Sequence, residues 1–280
     1  MPAFGGLSPL SSSTSACVVP TIEEHETTYQ YEPIVADEEL RVLLLEPGVF
    51  EEPLVGSLLV RKIGELTYRD FDWVPQGDGN EWDCVSYCWG PQKDYTYFSC
   101  DGRPLRITTT VEDMLKHLRE LFIPRYLWID AICINQADNT EKSLQVLSMG
   151  KIYSIASNVV VWLGPATDQD RIDDLLPIFD DPDVEEHAFG VPAMPIDSVS
   201  FAFPSLDAFF SRGWFKRRWI LQEVVLSREL TVQCGRLEFT WQSLKHSADV
   251  RLDHEDNFHW SAGTQEAAKQ ITMLDGQTNH

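Results

Sequence analysis

RYLWIDAICINQADNTEKSLQVLSMGKIYSIASNVVVWLG, residues 125–164, decides the fold because it holds one complete strand–helix–strand unit. RYLWIDAICI (125–134) is an apolar run rich in aromatic and β-branched residues, which reads as a buried strand. NTEKSLQVLSMGKIYSIAS (139–157) follows as a helix, carrying Leu144, Leu147, Ile152 and Ile155 at helical spacing. NVVVWLG (158–164) is a second continuous apolar strand, ending in glycine. Two buried strands joined by a helical crossover form the repeating unit of a parallel α/β sheet.

Upstream, DCVSYCW (83–89) is another short apolar strand, and YFSCDGRPLRIT (97–108) forms a hairpin turning at Asp101-Gly102. Thr110 is expected to cap a helix with Asp113 at its N3 position, followed by Val111, Met114, Leu115, Leu118 and Leu121. RVLLLEPG (41–48) and GSLLVRKI (56–63) add N-terminal strands, with turn residues around 75–80, and ELTVQCG (229–235) adds a last strand. The pattern predicts a doubly wound α/β domain with a mostly parallel central sheet. It is interrupted at 165–204 by an insertion with nine acidic residues between Asp168 and Glu186. Residues 1–28, rich in Ser, Thr and Glu, are expected to be disordered. The segment 249–280 reads as a polar tail with a weak helix near 265–274.

The 280 residues are 43% apolar, enough for a core without staples. Against 22 basic residues stand 44 acidic ones, a formal charge of −22, which opposes phosphate contacts and excludes nucleic acid as the expected partner. The first twenty residues lack a basic segment followed by an apolar one, and no eighteen apolar residues run together, so neither export nor a membrane is expected. A cytoplasmic location follows as the expectation. The six cysteines are scattered; Cys84 and Cys88, four residues apart on a strand, span roughly 13 Å, too far to share a zinc ion. They read as free thiols in a reducing compartment, and no metal is expected. No phosphate-binding GxxxxGK[ST] loop and no GxSxG elbow is present.

In RRWILQEVVL (217–226), two polar residues interrupt an apolar helix whose Trp214, Phe215, Trp219, Ile220, Leu221, Val224, Val225 and Leu226 cover nearly the whole circumference. On that helix Glu223 falls near the direction of Lys216, and Gln222 shares a stripe with Arg218. Ligands of doubly wound sheets bind beyond the carboxyl ends of the strands, where strand order reverses. That rule selects Tyr87, Trp89 and Gly90, then Asp130, Asn135 and Gln136, then Gly164. Ordinary roles stand beside these: an ion pair for Glu223, core packing for Trp219, a turn acceptor for Asp130, solvated charges for Arg217 and Arg218, a loop device for Asn135-Gln136.

SYCWG (86–90), LWIDAICINQ (127–136), EKSLQVLSMGKIY (141–153), VVVWLG (159–164) and RGWFKRRWILQE (212–223) resemble, in order, the blocks of the heterokaryon-incompatibility (HET) domain of filamentous fungi. YEPI (31–34) with RVLLLEPG resembles that family's start, so the likeness covers roughly 29–245 and places a HET domain at 29–248. It implies a self/non-self recognition domain that triggers programmed cell death. The HET domain is remotely similar to the TIR domain, which implies a flavodoxin-like three-layer sandwich and an NAD⁺-cleaving glutamate in a W-x-x-x-E setting. Trp219 and Glu223 have that spacing. The resemblance therefore implies Glu223 as catalytic residue, with NAD⁺ as substrate and no prosthetic group. Trp219 would stack on a ring of the dinucleotide, Tyr87, Trp89 and Asp130 would line the wall, and Arg217 or Arg218 would meet the pyrophosphate. Self-association or a regulatory protein partner would switch the reaction on. The alternative is a non-enzymatic assembly module in which Glu223 is structural.

Overall fold

The computed structural model describes residues 28–63, 82–90, 93–167, 175, 203–217, 220–253 and 258–278. The expected disorder at 1–27, the turns at 75–80 and nearly all of the acidic insertion lie outside the described residues. Among the described residues nine strands form one mixed sheet: β1 (Glu39–Leu45), β2 (Val55–Lys62), β3 (Asp83–Tyr87), β4 (Tyr95–Cys100), β5 (Arg103–Thr108), β6 (Arg125–Trp128), β7 (Asn158–Trp162), β8 (Leu230–Cys234) and β9 (Leu237–Thr240). Their spatial order is β5-β4-β2-β1-β6-β3-β7-β8-β9. The α/β class holds, but the sheet is mixed: β6, β3, β7 and β8 run parallel in its central block and β2 pairs parallel with β4, while the other neighbours are antiparallel. β1 pairs antiparallel with both β2 and β6, so the N-terminal strands extend the same sheet.

The hairpin between β4 and β5 turns at Asp101-Gly102 as expected, both residues having positive φ (50° and 73°). Helix α1 (Thr109–Leu118) is capped by Thr108, whose hydroxyl accepts from the Val111 amide, and not by Thr110. Arg119 leaves the helix in extended conformation, so Leu121 falls outside it and is 57% exposed. The strand expected at 125–134 stops at Trp128. There the Ile129 carbonyl accepts from the Ile132 and Cys133 amides, turning the chain into the short helix α2 (Asp130–Cys133).

Helix α3 (Asn139–Ile155) starts at Asp138, whose carboxylate accepts from the Thr140 and Glu141 amides. Its inward face differs from the periodicity. Leu147 is 82% exposed, whereas Glu141, Gln145, Ile152 and Tyr153 are buried. The reason is polar pairing with β1: Arg41 meets both oxygens of Glu141 at 2.6 and 3.1 Å, and Gln145 Nε2 donates to the Ala36 and Glu39 carbonyls. Tyr153 and Ile152 reach β3 through the Val85 carbonyl and the Cys84 thiol. Register pairs Cys84 with Val159, and Trp162, three residues on, points to the other face, where His117 of α1 packs on it at 5.0 Å. Helices α3 and α1 therefore cover opposite faces of the sheet.

After β7 come α4 (Phe203–Phe210), a 3₁₀ turn (Gly213–Lys216) and α5 (Ile220–Val225). β9, α6 (Trp241–Asp253) and α7 (Ala262–Thr278) complete the described chain. The weak helix expected at 265–274 is the middle of α7, which buries Ala267, Ala268, Ile271 and Leu274 in one cluster with Phe209, Trp214 and Val224. Small alanines at the contact hide this packing from a hydrophobicity reading. No helix among the described residues is long and apolar enough to cross a membrane.

The Arg41–Glu141 pair ties the outer half of the sheet to α3 with both side chains almost fully enclosed. Glu141→Leu leaves the guanidinium charged and buried without its counter-charge, and is expected to lower unfolding free energy by about 3–5 kcal/mol in urea denaturation. Adding Arg41→Met should recover part of that loss.

Candidate functional site

β3 and β7 end together, with Tyr87 paired to Trp162, and the chain order reverses there because β6 and β7 flank β3 on opposite sides. Beyond these ends lies a cleft of about 290 Å³, lined by Cys88, Thr110, Asp113, Trp162, Gly164 and Trp214 among others. Gly164, with φ of 98°, turns the chain out of β7 where Arg212 Nη1 donates to the Leu163 carbonyl at 2.7 Å. Gly213 lets Cys88 approach: a Cβ on it would stand 3.2 Å from the sulfur.

The stretch that reads as one helix from 214 onward is broken. Gly213–Lys216 is a 3₁₀ turn, and Arg217 (φ −81°, ψ 138°) is extended before α5 begins at Ile220. On a continuous helix, residues six apart diverge. The break lets Arg217 fold back onto Glu223, so the partner of Glu223 is Arg217 and not Lys216, which points to solvent. The pairing is bidentate: Nη1 donates to Oε2 at 2.9 Å and Nη2 to Oε1 at 2.8 Å. Ser86 of β3 donates its hydroxyl proton to the same Oε2. Ser86 Oγ in turn accepts from Trp214 Nε1 at 2.8 Å and Arg217 Nη1 at 3.2 Å.

Glu223 is 2% exposed, while the Arg217 side chain is 23% exposed and covers it. Burial works against the guanidinium charge, but the adjacent carboxylate outweighs it and holds Arg217 ionised above its usual range. Charge-assisted hydrogen bonds to both oxygens make an enclosed carboxylate tolerable.

Beside this group, the Asp130 carboxylate accepts from Trp89 Nε1 at 2.9 and 3.2 Å and from the Ala131 amide at 2.8 Å. Asp130 keeps some solvent contact, yet the protein packed around it raises its pKa from 3.8 to about 6; Glu223 adds to the rise and Trp89 opposes it. The Tyr87 hydroxyl is buried without a well-formed hydrogen bond, and burial first, then the Asp130 charge, push its pKa far upward. Burial and then Glu223 do the same to Tyr153.

Tyr87, Trp89, Asp130, Arg217 and Glu223 are thus neighbours in one polar group at the carboxyl end of β3. Arg218 and Trp219 lie outside the described residues. Asn135 and Gln136 serve the loop, Asn135 Oδ1 accepting from the Ala137 amide and Gln136 Nε2 donating to the Asp130 carbonyl. Sequence reasoning misses Ser86, Tyr153 and Trp214 as members of the group. For Ser86 a signal exists, a hydroxyl in the middle of the apolar DCVSYCW. For Tyr153 and Trp214 none does, since each also fits an aromatic core position.

The Asp130 shift has a pH signature. Its folded pKa lies above the unfolded one, so between about pH 4 and 6 the folded state holds more protons, and stability falls as pH rises through that window. Asp130→Asn should remove this component, reducing the loss of stability between pH 4 and 7 by on the order of 3 kcal/mol. Urea unfolding of both proteins at the two pH values measures it.

Comparison with known proteins agrees with the order of the blocks. The family model described as "Heterokaryon incompatibility protein (HET)" matches residues 82–223, which is half of the chain and contains β3, β6, β7, Arg217 and Glu223. The heterokaryon incompatibility protein 6, OR allele, of Neurospora crassa is 37% identical over 191 residues, covering 54% of this chain. The match covers 28% of that relative's length. No solved structure matches. With the family's region spanning the sheet centre and both halves of the Arg217–Glu223 pair, the chain belongs to the heterokaryon incompatibility (HET) family.

Proposed function

We propose that this domain acts in fungal self/non-self recognition by cleaving NAD⁺, in the manner of a TIR-like glycohydrolase, with Glu223 as the catalytic carboxylate and cell death as the consequence. The observation that carries the reading is the position of Glu223, a carboxylate held at the carboxyl end of β3 beside the strand-order reversal. The parallel strands lie in the order second, first, third, fourth (β6-β3-β7-β8), which supports a flavodoxin-like core. The relative's name supports heterokaryon incompatibility as the biological setting.

The chemistry needs little more. Breaking the bond between ribose C1′ and the pyridinium nitrogen sends the electron pair to the ring, so nicotinamide leaves neutral and needs no proton. Positive charge develops on the ribosyl carbon, where one carboxylate stabilises it; water then adds to C1′ and releases a proton. Glu223 reaches such a centre only when Arg217 moves aside, since the guanidinium covers it. A displaced Arg217 is suited to the pyrophosphate, which takes two parallel N–H bonds as the carboxylate does. Trp89 and Tyr87 would then border the ribose beside Asp130.

A second reading, a non-enzymatic assembly module, draws on the same burial: both Glu223 oxygens are already bonded. One assay separates the two. Concentrated purified protein incubated with NAD⁺ should release nicotinamide, and Glu223→Gln should slow the release by about 10²–10³-fold while melting as a folded protein. Equal rates for the two proteins overturn the enzymatic reading. Undiminished killing by Glu223→Gln in living hyphae would assign the module.

A further inference from the structure

We infer that Ser86 is the positioning residue of this site, a fixed hydroxyl on β3 that orients the Glu223 carboxylate; its catalytic consequence rests on the NAD⁺-cleaving reading. The inference starts from hydrogen-bond capacity. A serine hydroxyl has one proton and two lone pairs. Both lone pairs of Ser86 are taken, by Trp214 Nε1 at 2.8 Å and Arg217 Nη1 at 3.2 Å. Neither donor can accept a hydrogen bond, so the single proton has one direction left, toward Glu223 Oε2. Ser86 is 1% exposed.

The backbones holding these groups differ in rigidity. Ser86 sits in a strand of the sheet centre, paired with β6 at Asp83 and Cys84 and with β7 along its length, where its own register partner is Val161. Glu223 sits on a helix of six described residues, and Arg217 is in extended conformation after the 3₁₀ turn. A reacting group is placed most reproducibly by a partner on a rigid element. When Arg217 swings away to admit a substrate, one lone pair of Ser86 is freed, but Trp214 keeps the other and the hydroxyl still points at Glu223. Trp214 also lines the cleft, so one hydrogen-bonded chain runs from the cleft wall through Ser86 to the carboxylate.

The test compares Ser86→Ala and Ser86→Thr with the unmodified protein. With NAD⁺ as probe, Ser86→Ala should lower kcat by about 10–10²-fold with KM little changed, since the substrate is still bound but the carboxylate is misplaced. Ser86→Thr keeps the hydroxyl and should regain most of kcat. An unchanged kcat in Ser86→Ala, or equal impairment of both variants, overturns the inference. A second readout does not need catalysis: the indole N–H resonance of Trp214, identified by its loss in Trp214→Phe. Glu223→Gln should shift that resonance when Ser86 is present and leave it in place in the Ser86→Ala background. The same shift in both backgrounds, or none with Ser86 present, overturns the inference. Release of no nicotinamide by any protein counts against the enzymatic reading alone, and the resonance then decides on Ser86.

Discussion

A carboxylate enclosed in a protein must be met by positive charge and hydrogen-bond donors, or it will not stay ionised. At Glu223 this requirement organises everything nearby. Its two oxygens need Arg217, which forces the chain to leave the 3₁₀ turn in extended conformation before α5 starts. Ser86 must be a hydroxyl in an otherwise apolar strand, and Trp214 must turn its indole nitrogen inward to complete Ser86. The Glu223 charge then reaches Asp130 and Tyr153, raising the pKa of both after burial has already done so.

The fold has a second enclosed arginine–glutamate pair, and the contrast with the first is informative. Arg41 is 1% exposed and also donates to the Cys133 carbonyl, so it is held from several directions by β1, α2 and α3. Nothing about that pair can open without unpacking the sheet from its helix. Arg217 has solvent on one side, and its described hydrogen bonds go to Ser86 and Glu223. The first pair is built to stay closed. The second closes over a carboxylate that only Trp214, through Ser86, links to the cleft wall, and Arg217 sits in an extended geometry that any residue can adopt and leave.

The central α/β pattern is legible in the sequence because its strands are buried on both faces and leave unbroken apolar runs such as NVVVW. The edges are less legible. Leu144 and Leu147 look like the inward face of α3, but buried Arg41 demands a counter-charge, which Glu141 supplies, and Gln145 turns inward to donate to the Ala36 and Glu39 carbonyls. Asp130 looks like the end of a strand and is instead the first residue of a helical turn, because Ile129 reverses the chain through its carbonyl. Glu223 is legible as an anomaly of polarity. Its partner is not, since helical geometry points to Lys216 and only a break in the helix brings Arg217 around.

That break also bears on how the spacing of Trp219 and Glu223 is read. A tryptophan and a glutamate four residues apart imply a shared helical face, and the spacing carries meaning only if the helix is continuous between them. Here Trp219 lies outside the described residues, so the spacing does not by itself place an aromatic ring over the carboxylate. The aromatic group joined to Glu223 among the described residues is Trp214, nine positions earlier and connected through Ser86 rather than through helix geometry. A hydroxyl in the adjoining strand and an arginine in the extended link therefore define this carboxylate more directly than the spacing of its own helix does.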